Sequence, residues 1–137
     1  LSRLGADSRV RVNKLVKPGQ NSINSYVEIA LQNGRIWSRV LNLVEEDSVF
    51  VVEAIGVSTA AKKAAFNVVV NNKKLEIGVF NHAVEVENAG EVETVVTGEK
   101  LVVGNGSSKI SELGRKEKNE IWITENLQDD REYLVKV

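Results

Sequence analysis

Val49-Phe50-Val51-Val52 is an unbroken β-branched and aromatic run, and Gly56 follows it closely. Such a run reads as a strand covered on both faces, because apolar side chains project to either side of it. Gly56 permits a close turn, and Ser58 or Thr59 can cap the first amides of a helix after it. Ala60, Ala61, Ala64, Ala65, Val68 and Val69 then lie on a narrow apolar seam at helical spacing. This predicts an alanine-rich helix lying close on a sheet, with Lys62 and Lys63 near its start. A chain with that strand-to-helix junction belongs to the α+β or α/β class.

The 137 residues suffice for one domain with a core of its own, expected over 1–137. The absence of cysteine excludes disulfides and thiolate metal sites and favours an intracellular protein. A single histidine, His82, excludes a multi-histidine zinc site. No apolar run approaches the roughly 18 residues of a membrane helix, so no membrane partner is expected. The chain starts at Leu1 and contains no methionine, which is expected if a processed leader or a further segment precedes it.

Net charge is −1, but its distribution is uneven. Residues 1–44 hold seven basic side chains against Asp7 and Glu28, and residues 75–99 hold six glutamates and no lysine or arginine. Between them, Lys62, Lys63, Lys73 and Lys74 occur without an acid. Asymmetry of this kind can build one basic face on a near-neutral protein.

Along the chain, residues 1–8 read as a loose lead-in. Val10 and Val12 alternate with Arg9, Arg11 and Asn13, the period of a strand with one basic face. Lys17-Pro18-Gly19-Gln20-Asn21 is a predicted turn. Ile23, Tyr26, Val27, Ala30 and Leu31 then fall on one helical face, with Asn21 or Ser22 as N-cap. After Gly34 a second stripe of Ile36, Trp37, Val40, Leu41 and Val44 predicts another helix or a kinked continuation, although 35–44 can also be drawn as a strand. Glu45-Glu46-Asp47-Ser48 is a polar break. Further strands are predicted at 75–81, 83–87, 91–97, 100–103, 120–125 and 133–137, punctuated by Asn88-Ala89-Gly90, Gly98 and Gly104-Asn105-Gly106. Residues 111–118 read as an exposed connection.

Enzymatic constellations are missing. His82 lies between two strand signals with no nucleophile elbow, and Glu85, Glu87, Glu91 and Glu93 follow the alternation of a half-exposed sheet. Gly104-Asn105-Gly106-Ser107-Ser108-Lys109 lacks the spacing of a phosphate loop. No cofactor or metal is implied, and the chain is expected not to be an enzyme. Phosphate contacts, by contrast, need cations and donors rather than a base-reading code. Lys14 and Lys17 before a helix, Lys62 and Lys63 after the Gly56 turn, and Arg115, Lys116 and Lys118 in the late connection offer them.

The order of a basic strand, a lysine-bearing turn, a helix with Tyr26-Val27, a hydrophobic strand ending in Glu53-Ala54-Ile55-Gly56 and a small-residue helix with a lysine pair resembles the Alba family. It is equally similar to the related protein subunits of ribonuclease P and MRP. Glu120-Ile121-Trp122-Ile123-Thr124 after Arg115-Lys116-Glu117-Lys118 looks like the family's last strand after its basic arm. The resemblance covers roughly residues 9–125. Three features depart from it: a longer interval between Tyr26 and Ala54, a lysine one position late at Lys62 with Val57 after the glycine, and an acidic first half in the arm.

The resemblance implies a two-layer α+β sandwich, a mixed sheet with two or three helices on one side, an extended hairpin arm over 75–118 and a C-terminal extension over 126–137. It further implies a non-enzymatic homo- or heterodimer that binds the phosphate backbone of RNA or DNA, with RNA expected ahead of DNA as the partner. Lys14, Lys17, Lys62, Lys63, Arg115, Lys116 and Lys118 would contact the phosphates. The alternative is a structural or assembly subunit, capsid-like or scaffolding, that oligomerises through the strand edges within 75–103.

Overall fold

A computed structural model describes residues 1–16, 26–41 and 48–136. It contains ten strands and two helices among the described residues: β1 (Ser2–Leu4), β2 (Arg9–Val16), β3 (Tyr26–Val40), β4 (Val49–Ala54), β5 (Val57–Ala61), β6 (Ala64–Asn71), β7 (Lys74–Asn88), β8 (Glu91–Val96), β9 (Glu99–Gly104), β10 (Ser107–Glu112), α1 (Arg115–Lys118) and α2 (Ile121–Lys136). The fold is therefore mostly β, and the two-layer α+β sandwich is not what forms.

Two long strands organise it. The first half of β3 pairs with β2 and, in parallel, with β4; its second half pairs with β1 and β6. Strand β7 likewise pairs with β6 and β9 over its first half and with β5 and β8 over its second. The result is a front sheet ordered β2-β3-β4-β5-β7-β8 and a back sheet ordered β1-β3-β6-β7-β9-β10, sharing β3 and β7. The pairings β3–β4, β4–β5, β5–β7, β7–β6 and β6–β3 close a five-stranded barrel, and closure removes the edges of those five strands. Leu31, Ile36, Val52, Val57, Phe66, Val68, Ile77, Val79 and Val84 belong to the core within it.

Each expected helix before residue 110 is replaced for a physical reason. The segment after Gly56 turns back instead of coiling: Ile55 (φ 43°) and Gly56 (φ 79°) make a two-residue turn that pairs Ala54 with Val57. Beyond it, Val57, Thr59 and Ala61 are buried while Ser58 and Ala60 are half-buried, so the alanines obey the period of a strand. Lys62 and Lys63 form the corner where the chain passes from the front sheet to β6 in the back sheet. Small side chains suit the tight interior of a five-stranded barrel as well as they suit a helix seam. The predicted helices over 23–31 and 36–44 are one strand, β3, where they are described. The predicted turn at 17–21, the N-cap at Asn21 or Ser22 and the break at 45–47 lie outside the described residues.

The later part is corrected in the opposite sense. Strand signals at 120–125 and 133–137 are helix α2 as far as Lys136, residues 111–118 hold the end of β10 and α1, and the lead-in contains β1. The signals at 75–81 and 83–87 merge into β7, which bends at His82 (φ 58°), whose carbonyl accepts hydrogen bonds from the amide and hydroxyl of Thr97. The hairpin turns at Ala89-Gly90 and Asn105-Gly106 and the strand identity of β2, β4, β8 and β9 are as expected.

β3 bends between its two sheets at Gly34 (φ 90°), where a Cβ would come within 2.6 Å of the Ser8 Cα. Ser8 Oγ accepts the Arg35 amide at 2.9 Å, so the backbone of the lead-in is held against the bend. At Gly56 a Cβ would meet nothing within 4 Å, so only its φ is at stake. Gly34→Ala is expected to cost about 3 kcal/mol, combining strain with overpacking, and Gly56→Ala about 1 kcal/mol. Urea unfolding of the two variants measures the difference.

Candidate interaction surfaces

Residues alternating along a strand share a face, and Arg35, Trp37 and Arg39 of β3 share the outer face of the back sheet. Helix α2 docks there. Trp37, Ala65 and Ile123 form a second buried cluster, joined by Phe80, Trp122 and Leu127. The polar residues of the helix complete the contact. Asp130 is fully buried, and its two oxygens accept from Arg3 Nη1 (2.7 Å), Trp37 Nε1 (2.9 Å) and Arg39 Nε (3.0 Å). Arg3 also donates to the Asn126 side chain at 3.2 Å. At the other end Arg35 donates to Glu120 at 2.6 Å with its guanidinium 4.5 Å from the Trp122 ring centroid, and Trp122 Nε1 donates to Asn67 at 3.0 Å. No sequence signal named this site, because Trp122, Ile123, Asn126, Leu127 and Asp130 make a helical stripe in which two of five members are polar.

Of the seven basic residues expected to bind phosphate, the six that are described lie on β2, at the β5–β6 corner and on α1. Lys14 lies on β2 opposite Glu28, with its ammonium 5.0 Å from the Tyr26 ring centroid. Burial, followed by the charge of Glu28, raises the Tyr26 pKa above its ordinary value. Lys17 lies outside the described residues. Lys62 and Lys63 are exposed at the β5–β6 corner, while Arg115, Lys116 and Lys118 are exposed on α1 beside the back sheet. Strands β5 and β6 stand where the helix expected to present the lysine pair would be.

α1 is held down by Glu117, which accepts Lys100 Nζ at 2.5 Å. That hydrogen bond raises the Lys100 pKa against the opposing effect of burial, and the charge of Glu76 at 3.6 Å adds to the rise.

Acidic and histidine chemistry is equally unassembled. No group of three or more metal-ligating side chains occurs among the described residues. His82 is exposed, and its Nδ1 contacts the side chain of its neighbour Asn81. A cleft lined by Val86, Asn88, Glu91, Glu93, Leu101 and Ser108 has a volume of about 10 Å³, room for roughly one water molecule. Among the described residues no helix is long and apolar enough to cross a membrane.

What the surface does offer is strand edges. β2 has β3 as its only strand partner among the described residues, and Arg11 to Leu15 are all exposed, with Val12 at 59% and Leu15 at 56%. At the opposite edge of the front sheet, β8 pairs with β7 and exposes Val92 and Val96.

No protein-family model matches the chain, and no curated protein matches it. Solved structures do. One, a protein of Parabacteroides distasonis provisionally described as an anti-sigma factor, superposes with a TM-score of 0.64 at 20% identity, covering 84% of this chain and 52% of its own. Another of the same description and organism gives 0.57 at 17% identity, covering 66% of this chain and 43% of its own. At these identities the likeness is one of fold, and this chain spans about half the length of these neighbours.

Asp130→Asn is expected to lower stability by about 2–3 kcal/mol, because it strips the buried carboxylate from two guanidinium groups, whereas Trp37→Phe removes one neutral donor and some contact area at about 1–2 kcal/mol. Urea titration of each variant tests the order. Since the Lys100 pKa is raised in the folded state, its contribution is fully present below the unfolded value of about 10.4 and is lost as pH rises through the folded one. Glu117→Gln should therefore flatten the fall in stability above about pH 10.4.

Proposed function

We propose that residues 1–137 form a non-catalytic, protein-binding module of an anti-sigma-type regulator. The observation that carries this is the fold likeness to provisionally described anti-sigma factors over 84% of this chain. Three features of the chain support it. The barrel is filled by its own side chains, the strands β2 and β8 are exposed edges, and their mixed polar and apolar surface suits contact with protein.

An anti-sigma-type module is expected to change sigma-dependent transcription, so transcription is where it is tested. In cells carrying the intact gene and a sigma-dependent reporter, in-frame removal of residues 1–137 should change the reporter output several-fold. Unchanged output for every sigma subunit of the source genome would sink the reading.

A second reading, backbone binding to RNA or DNA, draws on one observation. The pairings of Val16 with Tyr26, Tyr26 with Val49 and Phe50 with Ala61 align the ends of β2 and β5. Lys62 and Lys63 thus follow at the same end of the front sheet as Lys14, three strand spacings or roughly 14 Å across. Salt-sensitive binding of a polynucleotide, lost in Lys62→Glu with Lys63→Glu, would favour it. The regulatory reading expects no such binding.

A further inference from the structure

The front sheet ends in two edges of opposite sign. β2 carries Arg9, Arg11 and Lys14 and no acid, with Glu28 of β3 opposite Lys14. At the other end, β8 carries Glu91 and Glu93, and the half of β7 beside it carries Glu85 and Glu87, with no lysine or arginine in either. Glu85 and Glu87 are exposed and alternate with buried Val84 and Val86, so both lie on the outer face of the sheet. Glu85 is paired with Thr94 and Glu87 with Val92. A long basic side chain placed beside β8 on that face reaches a carboxylate over a single strand, about 10 Å away from its own backbone. Arg9 and Arg11 are exposed, whereas Val10 between them packs toward the core.

We infer that the β2 edge of one copy of this chain takes the β8 edge of a second copy, extending the front sheet from molecule to molecule. Charge selects this pairing over the two-fold alternatives. An isologous β2–β2 contact sets Arg9, Arg11 and Lys14 against themselves, and a β8–β8 contact sets the glutamates against glutamates; both oppose like charges. Each edge is thus protected from its twin and open to the other. The strand directions also follow. From β2 to β8 the pairings are antiparallel, parallel, antiparallel, antiparallel and antiparallel, so the two edge strands run the same way. Head-to-tail addition that keeps the faces of the sheet in line therefore joins them as a parallel pair. Exposed Val12 on one edge and Val92 and Val96 on the other lose water in the contact. Because every copy presents one edge of each sign, the contact is heterologous and propagates unless it closes into a ring. This inference goes beyond the regulatory reading and does not rest on it.

Sedimentation velocity of the chain over a concentration series provides the test. The mass-average size should rise with concentration and fall as salt is added. Arg9→Glu with Arg11→Glu, and separately Glu85→Lys with Glu87→Lys, should each weaken self-association at least about tenfold, since the first turns the β2 edge net acidic like its partner and the second cancels the net charge of the acidic edge. Mixing the two variants should restore assembly, as each then offers what the other lacks. Circular dichroism melting confirms that both variants fold. A wild-type chain that stays monomeric up to its solubility limit, variants that associate as the wild type does, or a mixture that fails to assemble would each overturn the proposal.

Discussion

β3 has to serve two sheets and a helix at once, and the rest of the molecule depends on its doing so. Its first half hydrogen-bonds to β2 and β4, its second half to β1 and β6, and the change of partners occurs at Gly34. Without the bend the ladder begun with β4 would continue outward as an open sheet. With it, β6 returns to the same strand and the barrel closes. The side chains of β3 divide accordingly: Ile36 enters the barrel core, while Trp37, next in sequence, joins the cluster under α2.

Two kinds of interaction hold the two interfaces. Inside the barrel nearly all the buried groups are aliphatic, and their stabilisation is non-directional and scales with area. Under α2 the apolar cluster is small, and direction comes from Asp130. A buried carboxylate between Arg3 and Arg39 returns little net stability once desolvation is counted, but a helix turned or shifted by one residue would leave it unpaired. The apolar contacts hold the helix near the sheet, and the carboxylate sets its rotation and depth. Arg3 also makes the short strand β1 part of that contact, so the start and end of the described chain stabilise one another.

Barrel closure confines the remaining edge problem to a few strands. In the front sheet these are β2 and β8, and their opposite charges concentrate the uneven distribution of basic and acidic residues along the sequence into two places. That distribution was visible in the primary structure as a basic first third and an acidic stretch over 75–99. Its meaning was not, because a charge run in sequence becomes an edge only when the sheet order is known.

Turn chemistry and β-branched runs are local, and from them the sequence by itself determined the strands β2, β4, β8 and β9, the hairpins at Ala89-Gly90 and Asn105-Gly106, and the absence of thiolate chemistry. The α+β class failed where local signals are degenerate. Alanines at 60, 61, 64 and 65 satisfy both a helix seam and the alternating faces of β5 and β6, and only closure of the barrel selects the second. For α2 the degeneracy ran the other way. Ile121-Trp122-Ile123-Thr124 resembles a strand, and the helical stripe passes through Asn126 and Asp130, whose burial makes sense only beside Arg3, Trp37 and Arg39. Those partners lie about ninety or more residues away in the chain. Tertiary structure alone decided the helix, its docking site and the sheet order that leaves β2 and β8 as edges, because each depends on a contact between residues that the sequence keeps far apart.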